Sequence, residues 1–195
     1  MSPKRGRRHP TRADLEAARG KSIPDVIGRD LDVLFVGINP SLWSGAVGYH
    51  FARPGNRFWR ALHDAGFTDR VLEPSEGKEL LERRIGVTNL VNRATASADE
   101  LSRDDFRAGA KDVDKKVRRY RPKVVAFVGM GAYRMAFGRL RARGGRQDET
   151  LGGATIWVLP NPSGRTAGYQ MPALVAAFRD LRRAASRGTL RRAGR

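Results

Sequence analysis

Two Asn-Pro pairs stand out among the residues equipped for chemistry. One is Asn39-Pro40, within Gly37-Ile38-Asn39-Pro40-Ser41; the other is Asn161-Pro162, within Asn161-Pro162-Ser163-Gly164-Arg165. An asparagine amide offers a carbonyl acceptor and two N–H donors but no useful basicity. It can orient a water molecule or read the edge of a base, and it cannot serve as a strong general base. Between the pairs lies a glycine-rich stretch carrying Tyr49 and Phe51, followed by Asn56-Arg57-Phe58-Trp59. An aromatic face beside such an amide is a stacking surface for a nucleobase. A rigid loop of small residues tipped by Arg165 has the form of a wedge for a duplex. Plainer readings stand beside these: Asn-Pro is a common turn, and Phe51, Phe58 and Trp59 also suit a core.

Other chemistries find little support. His9, His50 and His63 lie far apart with no metal-ligand spacing, so no metal site is expected. The absence of cysteine excludes disulfides, thiolate zinc sites, cysteine-bound iron–sulfur clusters and a cysteine nucleophile. The Gly37–Ser41 segment lacks the GK[ST] ending of a phosphate-binding loop and the GxGxxG of a dinucleotide site, and no GxSxG elbow occurs. No cofactor is expected.

The 195 residues suit one domain with tails. Lys and Arg number 38 against 20 Asp and Glu, a formal charge of +18. The excess is concentrated in residues 1–30, 111–123, 134–146 and 179–195, and the rest is close to neutral. Basic segments on a neutral body point to a polyanionic partner, nucleic acid first. No run of about 18 apolar residues is present, so no membrane span is expected. The basic start has no apolar stretch behind it and does not read as a secretory signal.

The elements that must position these residues follow from pattern. Asp32–Val36, Gly86–Val91, Lys123–Val128 and Ala154–Leu159 are short, mostly apolar and rich in β-branched residues, and read as buried parallel strands. Helices are expected from Asn56-Arg57-Phe58, over Glu76–Arg84, from a Ser102 cap to Tyr120, over about Ala132–Leu140 and over about Met171–Ser186. The stretch 37–56 reads as a long loop, and 141–153 as an Arg- and Gly-rich loop. Strands alternating with helices give an α/β fold: a three-layer α/β/α sandwich around a mainly parallel four- to five-stranded sheet, in a single domain. Residues 1–22 read as a basic flexible arm, 23–186 as the folded domain and 187–195 as a basic tail. Ligands of such sheets bind beyond the carboxyl ends of the strands, where Asn39, Asn92, Gly129 and Asn161 fall.

The chain resembles the mismatch-specific uracil/thymine-DNA glycosylase family of the uracil-DNA glycosylase superfamily. The resemblance is carried by Val36–Leu42, Gly48–Trp59, Gly86–Val91 and Trp157–Gly164, in the family's order, and spans about 23–185. It implies the same sandwich and assigns roles. Asn39 matches the catalytic asparagine that positions the water attacking the sugar C1′. Phe51 matches the aromatic that stacks on the flipped base, and Ile38 and Ser44 match residues lining the base pocket. Asn161, Ser163, Gly164 and Arg165 match the loop that enters DNA and contacts the orphaned guanine. Arg165 stands where bacterial relatives carry a Leu wedge, Asn92 where relatives often carry an acid, and Trp43 where they carry a small residue. With no lysine placed as an amine nucleophile, the expectation is a monofunctional, monomeric, cytoplasmic glycosylase acting on duplex DNA with mismatched or damaged bases. Uracil, and thymine, opposite guanine are its expected targets. Ethenocytosine, hypoxanthine or xanthine, or a decayed site that only binds DNA, are the alternatives.

Overall fold

A computed structural model describes residues 9–164 and 170–186. Helix α1 covers Arg12–Ala17, β1 Val33–Gly37, α2 Leu42–Val47 and α3 Phe58–Asp64. A 3-10 segment, Pro74–Arg83, precedes β2 at Ile85–Asn89, and a short one, Ala98–Glu100, precedes α4 at Arg103–Tyr120. Then come β3 (Val124–Val128), α5 (Met130–Phe137), β4 (Gly145–Leu151), β5 (Ala154–Leu159) and α6 (Met171–Ser186). The five strands lie in the order β2-β1-β3-β5-β4, all parallel except β4 against β5. This is the expected single-domain α/β fold, with helices flanking a mostly parallel sheet.

Alternation along β1 divides the core. Val33 and Phe35 pack on one side with Phe58, Trp59, Leu62, Leu80, Leu174 and Phe178. Leu34 and Val36 pack on the other with Phe106, Val113, Val117, Tyr133 and Ile156. Strands buried on both faces need the continuous apolar runs seen in the sequence. Helix α4 begins where expected, with the Ser102 side chain accepting from Asp105 N and the Asp105 carboxylate accepting in return. It stops at Arg121, in a left-handed conformation before Pro122. Gly109 lets α4 close on the exit of β2, since a methyl group there would lie 2.2 Å from the Leu90 carbonyl oxygen.

Three segments differ from the sequence expectation. Residues 12–17, read as part of a flexible arm, form a helix capped by Thr11 and Asp14, and Ala18 behind it is fully buried. That burial is possible because Gly45 of α2 lies against Ala18 and Ala94, where a side chain would clash. Residues 1–8 and 187–195 lie outside the described residues. The expected loop 37–56 contains α2, started by the Ser41 side chain accepting from Ser44 N and ended by Gly48 at φ +78°. The expected loop 141–153 contains β4, joined to β5 by Gly152-Gly153, both at positive φ as a tight hairpin demands. Its alternation is between half-buried and exposed residues, most of them polar, so no apolar period marked it.

Candidate functional site

The carboxyl ends of β1, β2, β3 and β5 open into a cavity of about 350 Å³. Its lining includes Ile38 and Asn39 after β1, Asn89 at the end of β2, Val128 at the end of β3, and Asn161 and Ser163 after β5. Ser44 and Phe51 complete the inner wall. Six of the eight sequence-derived site residues therefore meet in one place. Gly164 packs on Gly55, whose carbonyl oxygen would lie 2.9 Å from any added Cβ, and Arg165 is outside the described residues.

Asn39 is held by its nitrogen. Nδ2 donates to the Arg93 carbonyl at 2.9 Å, to Thr95 Oγ1 at 2.7 Å and, at 3.2 Å, to the carbonyl of Pro40. All three bonds are made by the nitrogen, so Oδ1 is left as the acceptor on a side chain that lines the cavity. An amide fixed in this way can take a hydrogen bond from a water O–H and hold its oxygen lone pair toward a substrate.

The loop carrying Arg93 and Thr95 is itself braced. Gly20 N donates to the Ala94 carbonyl, and Ala94 N donates to that of Lys21. The Asn92 amide pairs with both backbone groups of Ile23, Nδ2 donating at 2.9 Å and Oδ1 accepting at 3.1 Å. Asn92 thus ties the N-terminal strap to the loop and does not line the cavity, a correction to its reading as a strand-end site residue. Trp43 also lies elsewhere: it meets the His9 ring edge-on and lines a separate hollow with Val47, Tyr49 and Pro54.

Asn89 is the residue that sequence reasoning missed. It is 5% exposed, and its Nδ2 faces His50 Nδ1 at 3.3 Å. His50 Nε2 lies 3.0 Å from the Pro24 carbonyl, so Nε2 carries the proton and Nδ1 accepts from Asn89. The relay turns Asn89 Oδ1 over Gly37, where an added Cβ would meet it at 2.6 Å. Asn89 stands one strand over from Gly37, in register with it, a placement that the pairing of β1 and β2 reveals and no sequence pattern announces.

Burial pushes the His50 pKa below its ordinary value, against the opposing pull of the Pro24 carbonyl. The unfolded chain therefore takes up a proton here at about pH 6.5 while the folded chain does not. The resulting stability is present above that pH and is lost as pH falls toward the folded value. Thermal unfolding midpoints should decline between pH 7 and pH 5, and the decline should be shallower in His50→Gln. Equal slopes in the two proteins would remove His50 from this role.

Phe51 adopts φ +52°, a left-handed conformation that costs a bulky residue about 1–2 kcal/mol. Trp59 Nε1 donating to the His50 carbonyl at 3.2 Å and Ala52 N donating to Ser44 Oγ at 3.3 Å hold it there. Its ring stacks on Phe58 with centroids 3.9 Å apart. The Asn161–Gly164 loop is shaped by Asn161 Oδ1 accepting from Ser163 N, and Arg57 clamps it by donating to the carbonyls of Pro162 and Ser163 at 3.2 and 3.0 Å. Among the described residues no cluster of three His, Asp or Glu suits a metal ion, and no helix is long and apolar enough to cross a membrane.

The C-terminal end of the basic segment 111–123 lies away from the cavity. The Tyr120 carbonyl accepts from Asp30 N and Lys123 N donates to the Leu31 carbonyl, at the opposite end of β1 from Asn39. Five of its seven cations face carboxylates within 4 Å, including Lys116 with Asp25 and Lys123 with Asp32, each at 2.6 Å.

Residues 24–182 match the model of the uracil DNA glycosylase superfamily. Among solved structures, the chain is similar to a solution NMR structure from Methanosarcina acetivorans named a "putative Uracil DNA glycosylase". The two align with a TM-score of 0.51 and 21% identity, over 84% of this chain and 98% of the other. At that identity the likeness speaks for the fold.

Proposed function

Because the chain belongs to the uracil DNA glycosylase superfamily, we propose that it is a monofunctional DNA glycosylase that hydrolyses the N-glycosidic bond of uracil, and of thymine, paired with guanine. The observation that carries this reading is Asn39, bound through its nitrogen to three acceptors with its oxygen left for the cavity.

A base inside a duplex is out of reach, so it must be extruded, at a cost of a few kcal/mol that is smaller for a mismatch. That difference favours G·U and G·T pairs before any base contact is made. The Asn161–Gly164 loop, with Arg165 next in sequence, occupies the vacated stack. The extruded base lies against Phe51. Asn89 Oδ1 accepts from its ring N–H: N3–H in uracil and thymine. Cytosine presents a lone pair at N3 and is disfavoured.

Water held by Asn39 then attacks C1′ as the C1′–N1 bond breaks. The bonding pair leaves with the pyrimidine as its N1 anion, and the proton lost by water ends on solvent or base. Asn39 does not take that proton, so positioning and electrostatics carry the rate. Hypoxanthine and xanthine also carry a lactam N–H that suits Asn89, which makes them the second substrate class to examine.

The test is release of free base from duplexes holding a single G·U, A·U, G·T, hypoxanthine, xanthine or ethenocytosine lesion. G·U is expected to be the fastest, leaving an abasic site and an intact strand. No base released from any of them, despite binding, would leave only a DNA-binding module.

A further inference from the structure

An amide looks nearly the same from either end, and a water-positioning asparagine works only if its oxygen faces the substrate. We propose that Thr95, acting with the Arg93 carbonyl, sets this polarity and is a positioning residue for Asn39; the proposal rests on the glycosylase reading above.

Thr95 is 2% exposed, on the loop between β2 and α4. Its hydroxyl oxygen lies 2.7 Å from the Ser97 carbonyl and 2.7 Å from Asn39 Nδ2. A carbonyl only accepts, so the single hydroxyl proton goes to Ser97. The hydroxyl then meets Asn39 with lone pairs and requires a donor there. The Arg93 carbonyl, 2.9 Å from the same nitrogen, makes the same demand. Turning the amide over would set Oδ1 against three acceptors with no proton between them, and point the N–H groups at the water. A hydroxyl whose proton is committed elsewhere is therefore a one-way fitting for an amide nitrogen. Thr95 N donating to the Pro40 carbonyl at 3.2 Å and the Leu42 N bond to the Thr95 carbonyl at 3.1 Å keep the loop in place independently of the hydroxyl.

The test is single-turnover release of uracil from a G·U duplex by the full chain, with duplex affinity measured in parallel. Thr95→Val keeps the shape and removes the hydroxyl. It should slow release about 10- to 100-fold with affinity unchanged within about twofold, and Thr95→Ser should restore at least half of the parental rate. In an Asn39→Ala background, Thr95→Val should add no further loss, because there is no amide left to orient. If Thr95→Val fails to fold, Thr95→Ala is expected to give the same loss. Parental rates in Thr95→Val, a Thr95→Ser as slow as the valine variant, or a full additional loss in the Asn39→Ala background would each overturn the assignment. Failure of the underlying reading is a separate outcome: the parental protein itself would release no base.

Discussion

Asn39→Ala should release uracil from a G·U duplex about 100- to 1,000-fold more slowly than the parental protein, while binding the same duplex about as well. The range is what removal of one preorganised polar group costs when it acts on the reacting atoms. Alanine removes the oxygen proposed above to hold water and leaves Phe51, Asn89 and the Asn161–Gly164 loop untouched. It also removes the donor to the Arg93 carbonyl and Thr95 Oγ1. Two partly buried acceptors then need water, at about 1–2 kcal/mol of stability. A loss of rate much larger than any loss of folded protein separates the chemical role from the structural one. Near-parental release would defeat the assignment of Asn39, and abolished duplex binding would reassign it to recognition.

Gly37→Ala is expected to be nearly as damaging from the other wall of the cavity. A methyl group at this position would lie 2.6 Å from Asn89 Oδ1 and 3.1 Å from the Phe51 ring. Neither neighbour gives way easily: Asn89 is tied to His50, and Phe51 is stacked on Phe58. Gly37 is in register with Asn89 in the parallel pair of β1 and the edge strand β2, so the clash falls between two hydrogen-bonded strands. Displacement of about 1 Å in a positioning group can cost about 100-fold in rate, and overpacking of this kind about 1–3 kcal/mol in stability. Single-turnover rate and thermal unfolding together read both effects. Gly131→Ala in α5 is the control, since nothing lies within 4 Å of an added Cβ there. Parental base release in Gly37→Ala would mean that the Asn89–Phe51 wall does not touch the base.

Much of this arrangement was legible in the sequence, and the exceptions have physical causes. The strands at 33–37, 124–128 and 154–159 sit close to their expected places because strands buried on both faces must be apolar throughout. Helices α4 and α6 were marked by a capping serine and by Leu174, Phe178 and Leu181 at helical spacing, all three fully buried. Strand β4 was hidden because an exposed edge carries no apolar run. Helix α2 was hidden because a helix of six residues is too short to show a period, and α1 because its burial rests on Ala18 fitting Gly45, a contact that no local pattern announces.

The same division runs through the site. Asn39 was legible because it follows the carboxyl end of a buried strand, where sheets of this kind bind their ligands. Asn89 was not, because it sits within the apolar run that defined β2, and reading that strand two residues too long moved attention to Asn92. Thr95 was invisible for a different reason: its significance lies in a proton given to Ser97, which only three-dimensional geometry reveals.

The ion pairing of residues 111–123 bears on how this protein grips DNA. A formal charge of +18 suggests that binding would displace a large counterion cloud. Yet the last cations of that segment sit at the far end of β1, and five of its seven already face carboxylates of the same chain. A duplex lying across the cavity mouth neutralises phosphates only with the groups it touches, so the logarithmic dependence of affinity on salt counts those few contacts and not the whole excess.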